Sequence, residues 1–242
     1  MPARTPPNSA FKFGRKKSGQ RHRTRVSMAS MQIDLQRSEY DRGKLDESDL
    51  KPTPYEQFAA WFKEACDAKL IEPNAMSLAT SGADNRPLVR TVLLKSYDAN
   101  GFVFFTNHES RKARQIKENP NASLLFPWLA LQRQVIISGS VEKVSTAETL
   151  SYFLTRPRGS QIGAWVSQQS SVVTSRQLLE MKWAEIQRKF GDGEVPVPSW
   201  WGGYRVVPRD IEFWQGRVNR LHDRFLYTAQ TDKSWRVERL AP

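Results

Sequence analysis

Residues 75–106, AMSLATSGADNRPLVRTVLLKSYDANGFVFFT, decide the fold class. Three strand-like runs occupy this stretch: Ala75–Thr80, Pro87–Lys95 and Phe102–Thr106. Gly82-Ala83-Asp84-Asn85 and Asp98-Ala99-Asn100-Gly101 separate them, and both have the composition of turns. Working outward, Ala122–Trp128 and Gln134–Val144 continue the strands. Gly202–Val207, Ile211–Gln215, Arg224–Ala229 and Trp235–Leu240 supply more near the C-terminus. Short strands at this spacing predict an antiparallel barrel or sandwich, not a doubly wound sheet.

Helices flank these runs. Thr53-Pro54-Tyr55-Glu56 is a capping box with proline in the first helical position. Tyr55, Phe58, Ala59, Phe62, Cys66 and Leu70 follow at helical spacing, so Cys66 reads as a small core residue. Ser110 to Asn119 reads as a short basic helix. Ser145 caps a helix running to about Thr155, and Gln161–Ser167 reads as a further helical turn. Ser175–Phe190 reads as an amphipathic helix stopped by Gly191. The expected fold is mainly β with flanking α-helices.

The chain has 242 residues, with 37 Lys and Arg against 25 Asp and Glu, a net charge of +12. Such a balance invites a nucleic-acid partner. Its distribution argues otherwise. Residues 1–33 hold eight of the basic residues and no acid. Without them 29 basic residues face 25 acidic ones, a net +4. Residues 1–33 therefore read as a basic tail without a fixed fold, and residues 34–242 as a single domain. A dispensable extension is the simplest account of the tail, with translation starting at Met28 or Met31. An organellar transit peptide ranks second and a nucleic-acid arm third. With one cysteine there is no intrachain disulfide framework. The three histidines are dispersed, so no metal site is expected. No apolar run approaches a membrane span. A cytoplasmic location follows, with organellar import through the tail as the variant.

Four constellations could carry chemistry. Arg220, His222 and Arg224 share one face of an extended chain, because side chains alternate with period two. A charged edge strand would explain them. Phe213 and Trp214 just upstream, with Trp200 and Trp201, favour a flat anionic aromatic ligand instead. Ser110-Arg111-Lys112 sets two cations at a helix N-terminus, where they oppose the helix dipole unless a phosphate sits there. Taken alone, an ordinary surface helix accounts for them as well. Tyr152 and Arg156 lie one helical turn apart, with Ser160 four residues on, and could cradle a second phosphate. A solvated helix face would account for them as well, with Phe153 and Leu154 facing the core. Arg90 and Lys95 point to opposite faces of a regular strand. Either one of them is structural, or the strand bends and both reach a site; periodicity leaves both open.

Taken together, these segments resemble the pyridoxine/pyridoxamine 5′-phosphate oxidase family of flavoproteins. The resemblance runs from about Arg37 to Pro242. It is carried by Arg90-Thr91-Val92-Leu93-Leu94-Lys95, Ser110-Arg111-Lys112-Ala113 and Ser123-Leu124-Leu125-Phe126-Pro127-Trp128. It continues through Ser160-Gln161-Ile162-Gly163-Ala164-Trp165 and Phe213-Trp214-Gln215-Gly216 to Arg220-Leu221-His222-Asp223-Arg224-Phe225.

The resemblance implies an FMN-binding split β-barrel that forms a homodimer with FMN near the interface. It implies oxidation of pyridoxamine or pyridoxine 5′-phosphate to pyridoxal 5′-phosphate, O₂ being reduced to H₂O₂. The family chemistry is hydride transfer from the substrate C4′ to flavin N5. By motif, Arg90, Lys95, Phe105, Thr106, Arg111, Lys112, Gln134, Gln169, Ser170, Trp214 and Arg224 look like cofactor contacts. Lys95, Tyr152, Arg156 and Ser160 look like the substrate-phosphate cradle. Arg220 and His222 look like the catalytic pair over the substrate ring, and Arg37 and Tyr40 like a segment closing on it. Phe105 stands where related sequences often have Tyr, and Arg217 adds a cation at a variable position. Two alternatives stand beside this reading: an FMN-binding reductase of the same barrel type, and a nucleic-acid-binding protein resting on residues 1–33.

Overall fold

The structure is a computed structural model that describes residues 39–242. The expected basic tail, residues 1–33, and Arg37 lie outside the described residues.

Nine antiparallel strands form one sheet. They are β1 (Ala75–Ser81), β2 (Pro87–Leu93), β3 (Ser96–Asp98), β4 (Gly101–Asn107), β5 (Asn121–Trp128), β6 (Arg133–Lys143), β7 (Trp201–Gln215), β8 (Asp223–Ala229) and β9 (Trp235–Arg239). The order is β2-β1-β5-β6-β7-β4-β3, with β8 on β7 and β9 on β8. β2 and β3 are two parts of one extended run broken at Leu94-Lys95. The first part pairs with β1 at one end of the order, and the second with β4 near the other. The sheet therefore curls back on itself as a barrel, the mainly β architecture with flanking helices that was expected.

Burial along β1 alternates strictly, with Met76, Leu78 and Thr80 inward. The same period puts Leu124 and Phe126 of β5 and Val135 and Ile137 of β6 into the barrel. Helix α1 (Pro54–Asp67) begins at the expected cap: Glu56 N–H donates to Thr53 Oγ1, and the Glu56 carboxylate accepts from Thr53 N–H. Its Phe58 is fully buried and makes edge contacts with Phe102 and Phe126. Cys66 departs from expectation. It is exposed, and Ala65 is the buried residue of the last turn.

β7 is one fifteen-residue strand, where Gly202–Val207 and Ile211–Gln215 read as two. Pro208 looks like a break because it has no amide to donate. The ladder absorbs it with an irregularity between Ser138 and Gly139 on β6. A Cβ on Gly139 would stand 1.9 Å from the Val207 carbonyl oxygen, so only glycine permits the close approach there. Beyond this point β7 changes partners. Residues Trp201–Val206 pair with β4, and Asp210–Gln215 with β8.

A second, smaller core holds the helical side. Phe153 of α3 (Thr146–Thr155) and Ile162 of α4 (Arg158–Val166) pack with Val195 and Trp201. Leu154 faces outward, contrary to expectation. α4 begins three residues before the expected turn. α5 (Arg176–Phe190) is a helix as predicted, yet none of its residues is buried. It rests on α4 through Trp183, which lies against Gly159 and Gly163. Leu178 and Met181 stay exposed.

Candidate functional site

A cleft of about 540 Å³ opens where β2, β4, α3 and α4 meet. Arg90 and Lys95 both line it, because the chain breaks at Leu94-Lys95 instead of continuing as a regular strand. Phe105 and Thr106 enter from β4, Lys112 from α2 (Arg111–Glu118) and Gln169 from the loop after α4. Tyr152, Arg156 and Ser160 line the other side. The two phosphate cradles expected from sequence thus share one cavity.

The cations here have no carboxylate partner among the described residues. Lys112 is 8 % exposed, and its ammonium donates to Thr106 Oγ1 at 3.0 Å and Gln169 Oε1 at 2.9 Å. Burial, then Arg90, lowers its pKa to about 8. Arg90 donates only to neutral oxygens: Leu78 O, Thr80 Oγ1 and Gln115 Oε1. Burial and the neighbouring Arg111 push its pKa down. Arg156 lies 4.6 Å over the Trp201 ring, and its Nη1 is buried with no partner. Burial lowers its pKa as well. Buried cations that meet only neutral dipoles are destabilised until an anion arrives.

Local folding explains each placement. Ser110 caps α2, its Oγ accepting from Ala113 N–H, so Lys112 turns inward and Arg111 outward. Arg111 N–H donates to Ser170 Oγ at 3.2 Å, tying the 169–170 loop to the same helix end. Ser170 takes a left-handed φ of 73° to do so. Tyr152 and Arg156 do not share a helix face, since Arg156 is the extended C-cap of α3. They meet in the cleft through the aromatic stack. Phe105 lies 4.1 Å from Tyr152 and 5.3 Å from Trp201, which are themselves 6.2 Å apart, with all three rings within 22° of parallel.

Trp201 is the cleft residue the sequence assigned wrongly, grouped with Trp214. The two stand at opposite ends of β7, thirteen residues and roughly 40 Å apart along the strand path. The N-terminal turn of α4, which brings Pro157 and Ser160 to the cleft, was also missed. Its signal was Pro157 itself, a residue suited to a helix start but masked by Gly159.

The other expected site residues gather elsewhere. Trp214 lies 4.6 Å from His222 and 5.8 Å from Tyr40, ring centre to ring centre. Tyr40 in turn lies 5.7 Å from His222. Gln134 and Arg224 are the cross-strand neighbours of Trp214 on either side. None of these residues lines the cleft. Arg220, His222 and Arg224 do not lie on one extended face. Val218–Arg220 is a 3-10 turn, Asn219 and Arg220 have φ of 55° and 62°, and strand resumes only at Asp223. Phe213 is core, not site. Arg224 is paired to Glu212 at 2.8 Å and donates to Ala241 O at 2.8 Å. His222 Nδ1 accepts from Arg217 N–H at 3.1 Å, which leaves Nε2 to carry the proton of the neutral ring. Burial, then Arg220 and Arg224, lower its pKa.

The donor set of the cleft fits a phosphorylated cofactor such as FMN. Among the described residues, buried Lys112 and half-buried Arg90 lack a counter-charge, and Arg156 Nη1 lacks any partner. A phosphate on the cofactor would supply the anion that Lys112 and Arg90 are missing, and Arg156 is left for a second one.

Comparisons with known proteins agree. Residues 62–190 match the family model described as pyridoxamine 5′-phosphate oxidase. Residues 201–242 match one described as the pyridoxine 5′-phosphate oxidase C-terminal dimerisation region. A pyridoxine/pyridoxamine 5′-phosphate oxidase of Rippkaea orientalis is 61 % identical over 212 residues, covering 88 % of this chain and all of that one. One from Aliarcobacter butzleri is 60 % identical, covering 85 % of this chain and 97 % of that one. Among solved structures, PhzG of Burkholderia lata, in complex with tetrahydrophenazine-1-carboxylic acid, superimposes with a TM-score of 0.76. It is 30 % identical, covering 81 % of this chain and 95 % of that one.

Proposed function

The chain belongs to the pyridoxamine 5′-phosphate oxidase family, and from that premise we propose how its two clusters of residues carry the reaction. The protein oxidises pyridoxamine and pyridoxine 5′-phosphates to pyridoxal 5′-phosphate, with FMN as cofactor and O₂ as the final acceptor. One observation carries the reading: a single cleft holds Arg90, Lys95, Lys112 and Arg156 with no carboxylate partner among the described residues. Two phosphates, one on the flavin and one on the substrate, match that surplus.

Arg90, Arg111 and Lys112 hold the flavin phosphate, with Thr106, Gln169 and Ser170 as neutral donors and Phe105 along the wall. Tyr152, Arg156 and Ser160 hold the substrate phosphate, and Lys95 serves both. The N-terminal turn of α4 adds its dipole at Ser160. When bound, FMN supplies the two-electron acceptor. The protein forms a homodimer, a reading supported by the dimerisation-region match over residues 201–242. The cleft of one protomer is completed by Gln134, Trp214 and Arg224 of the partner subunit on the flavin side. Arg220, His222 and Tyr40 of the partner subunit lie over the substrate ring. Arg37, outside the described residues, belongs with Tyr40 in that closing segment.

Arg220 orients the substrate and offsets charge developing at its reacting carbon. His222 Nδ1 already accepts from Arg217 N–H, so the neutral ring offers Nε2–H as a hydrogen-bond donor to the substrate and does not remove a proton. The stacked rings of Tyr152, Phe105 and Trp201 exclude water along the cleft wall. A cytoplasmic location follows the composition, whose single cysteine builds no disulfide.

The purified protein should be yellow. It should form pyridoxal 5′-phosphate aerobically from either vitamer phosphate, faster when FMN is added. A colourless protein that neither binds FMN nor turns over defeats the reading. Arg220→Ala should cut kcat about a hundredfold while FMN affinity changes less than twofold.

A further inference from the structure

We propose that Arg217 is a positioning residue, stapling shut the loop that carries Arg220 and His222. The inference rests on the reading that this loop meets the substrate. Residues 217 and 223 bracket the loop, and the Arg217 guanidinium meets the Asp223 carboxylate at 3.0 Å. Inside the staple, Asn219 and Arg220 are both left-handed although neither is glycine. Such a pair is held only where the surroundings over-determine it. Four groups do so here. The Arg217–Asp223 ion pair closes the base. Leu221 N–H donates to Val218 O. Arg217 N–H donates to His222 Nδ1. Gly216, preceding the loop, sits so close to Tyr40 that a Cβ there would approach the ring at 2.8 Å.

Arg217 thus acts on both functional residues, on Arg220 through the loop and on His222 through its own amide. Its side chain fixes the span across which Arg220 is displayed. Its amide fixes the tautomer and direction of His222. The anchor at the other end stays in place without it. Asp223 is buried, and it also accepts from Leu45 N–H at 3.1 Å and from Arg239 Nη1 at 3.1 Å. Removing the Arg217 side chain therefore opens the loop without freeing Asp223, and this makes Arg217 the informative position.

The test compares the FMN-loaded parent with Arg217→Ala, Arg217→Lys and Arg220→Ala, reading kcat, KM, the FMN dissociation constant and Tm. Arg217→Ala is expected to lower kcat/KM about tenfold, with FMN affinity within twofold of the parent. Arg217→Lys, which keeps an ion pair to Asp223, should recover most of that loss. Unimpaired Arg217→Ala beside a crippled Arg220→Ala overturns the proposal and leaves the functional reading standing. Loss of FMN or of Tm in proportion to activity overturns it too, by making the pair merely structural. An unimpaired Arg220→Ala removes the premise, and the proposal falls with it.

Discussion

Lys112 concentrates the conflict between stability and binding in one side chain. Its ammonium titrates at about 8 in the folded protein, against 10.5 when unperturbed. A base that holds its proton less tightly when folded costs stability while it is charged. This contribution therefore improves as pH rises from about 8 towards 10.5. Lys112→Met should stabilise the FMN-free protein at pH 7 by roughly 1–2 kcal/mol, after allowance for solvent screening and lost hydrogen bonds. The same change should weaken FMN binding about a hundredfold. Scanning calorimetry and flavin fluorescence titration check the two halves, which must move in opposite directions. His222 gives a second residue-scale prediction. Its depressed pKa keeps the imidazole neutral below the usual histidine midpoint. kcat/KM should stay level above that midpoint and fall only on the acid side. Arg220→Ala removes one of the cations that depress it, so the residual activity should fall off at higher pH than in the parent. An unmoved acid limb would assign that limb to another group.

At the scale of elements, the sequence spoke most clearly where one face of a strand is buried. The ends of β1, β5 and β6 fall within a residue or two of those read from the sequence. Three features escaped it for physical reasons. β7 reads as two strands because Pro208 has no donor, and the accommodating glycine lies on another strand. The loop at Arg220 reads as extended when Asn219, a residue that tolerates left-handed backbone, is not weighed as a turn signal, and nothing announces that conformation at Arg220. Cys66 and Ala65 exchange places because the buried stripe of α1 runs through Phe58, Trp61 and Ala65, one residue before the Phe62 and Cys66 positions that the spacing also allows. Among site residues, Lys112 and Arg156 were legible as candidate phosphate ligands and Arg90 and Lys95 were left open, whereas Trp201 depended on which end of β7 it occupied. The bend in β7 makes a prediction of its own. Gly139→Ala would force a Cβ to 1.9 Å from a backbone oxygen, so the ladder must part there. A loss of about 2–4 kcal/mol in stability is expected by urea denaturation. Retained stability would mean that β6 and β7 can slide apart at the bulge.

The molecule as a whole carries its two clusters at opposite ends of its longest strand. No residue of the Trp214 cluster lines the cleft of its own chain, so one chain does not bring both clusters to one flavin. Two chains related by a twofold axis can, each lending its Trp214 end to the other's cleft. This arrangement predicts complementation between dead variants. Lys112→Met spoils the cleft and spares the loop, and Arg220→Ala does the reverse. In a mixed dimer, one site combines both defects and the other combines neither. Random reassortment of equal amounts makes half the dimers mixed, and half of their sites are intact. Activity should therefore recover to about a quarter of the parent's after the two proteins are mixed, unfolded and refolded together. It should stay at the background of either variant when they are mixed without subunit exchange. If each site were built from one chain, no mixing protocol could raise activity above that background, and the division of residues between protomers would be wrong. Recovery near a quarter is the outcome specific to two shared sites per dimer. Mere stabilisation of one variant by the other would have no reason to stop at that fraction.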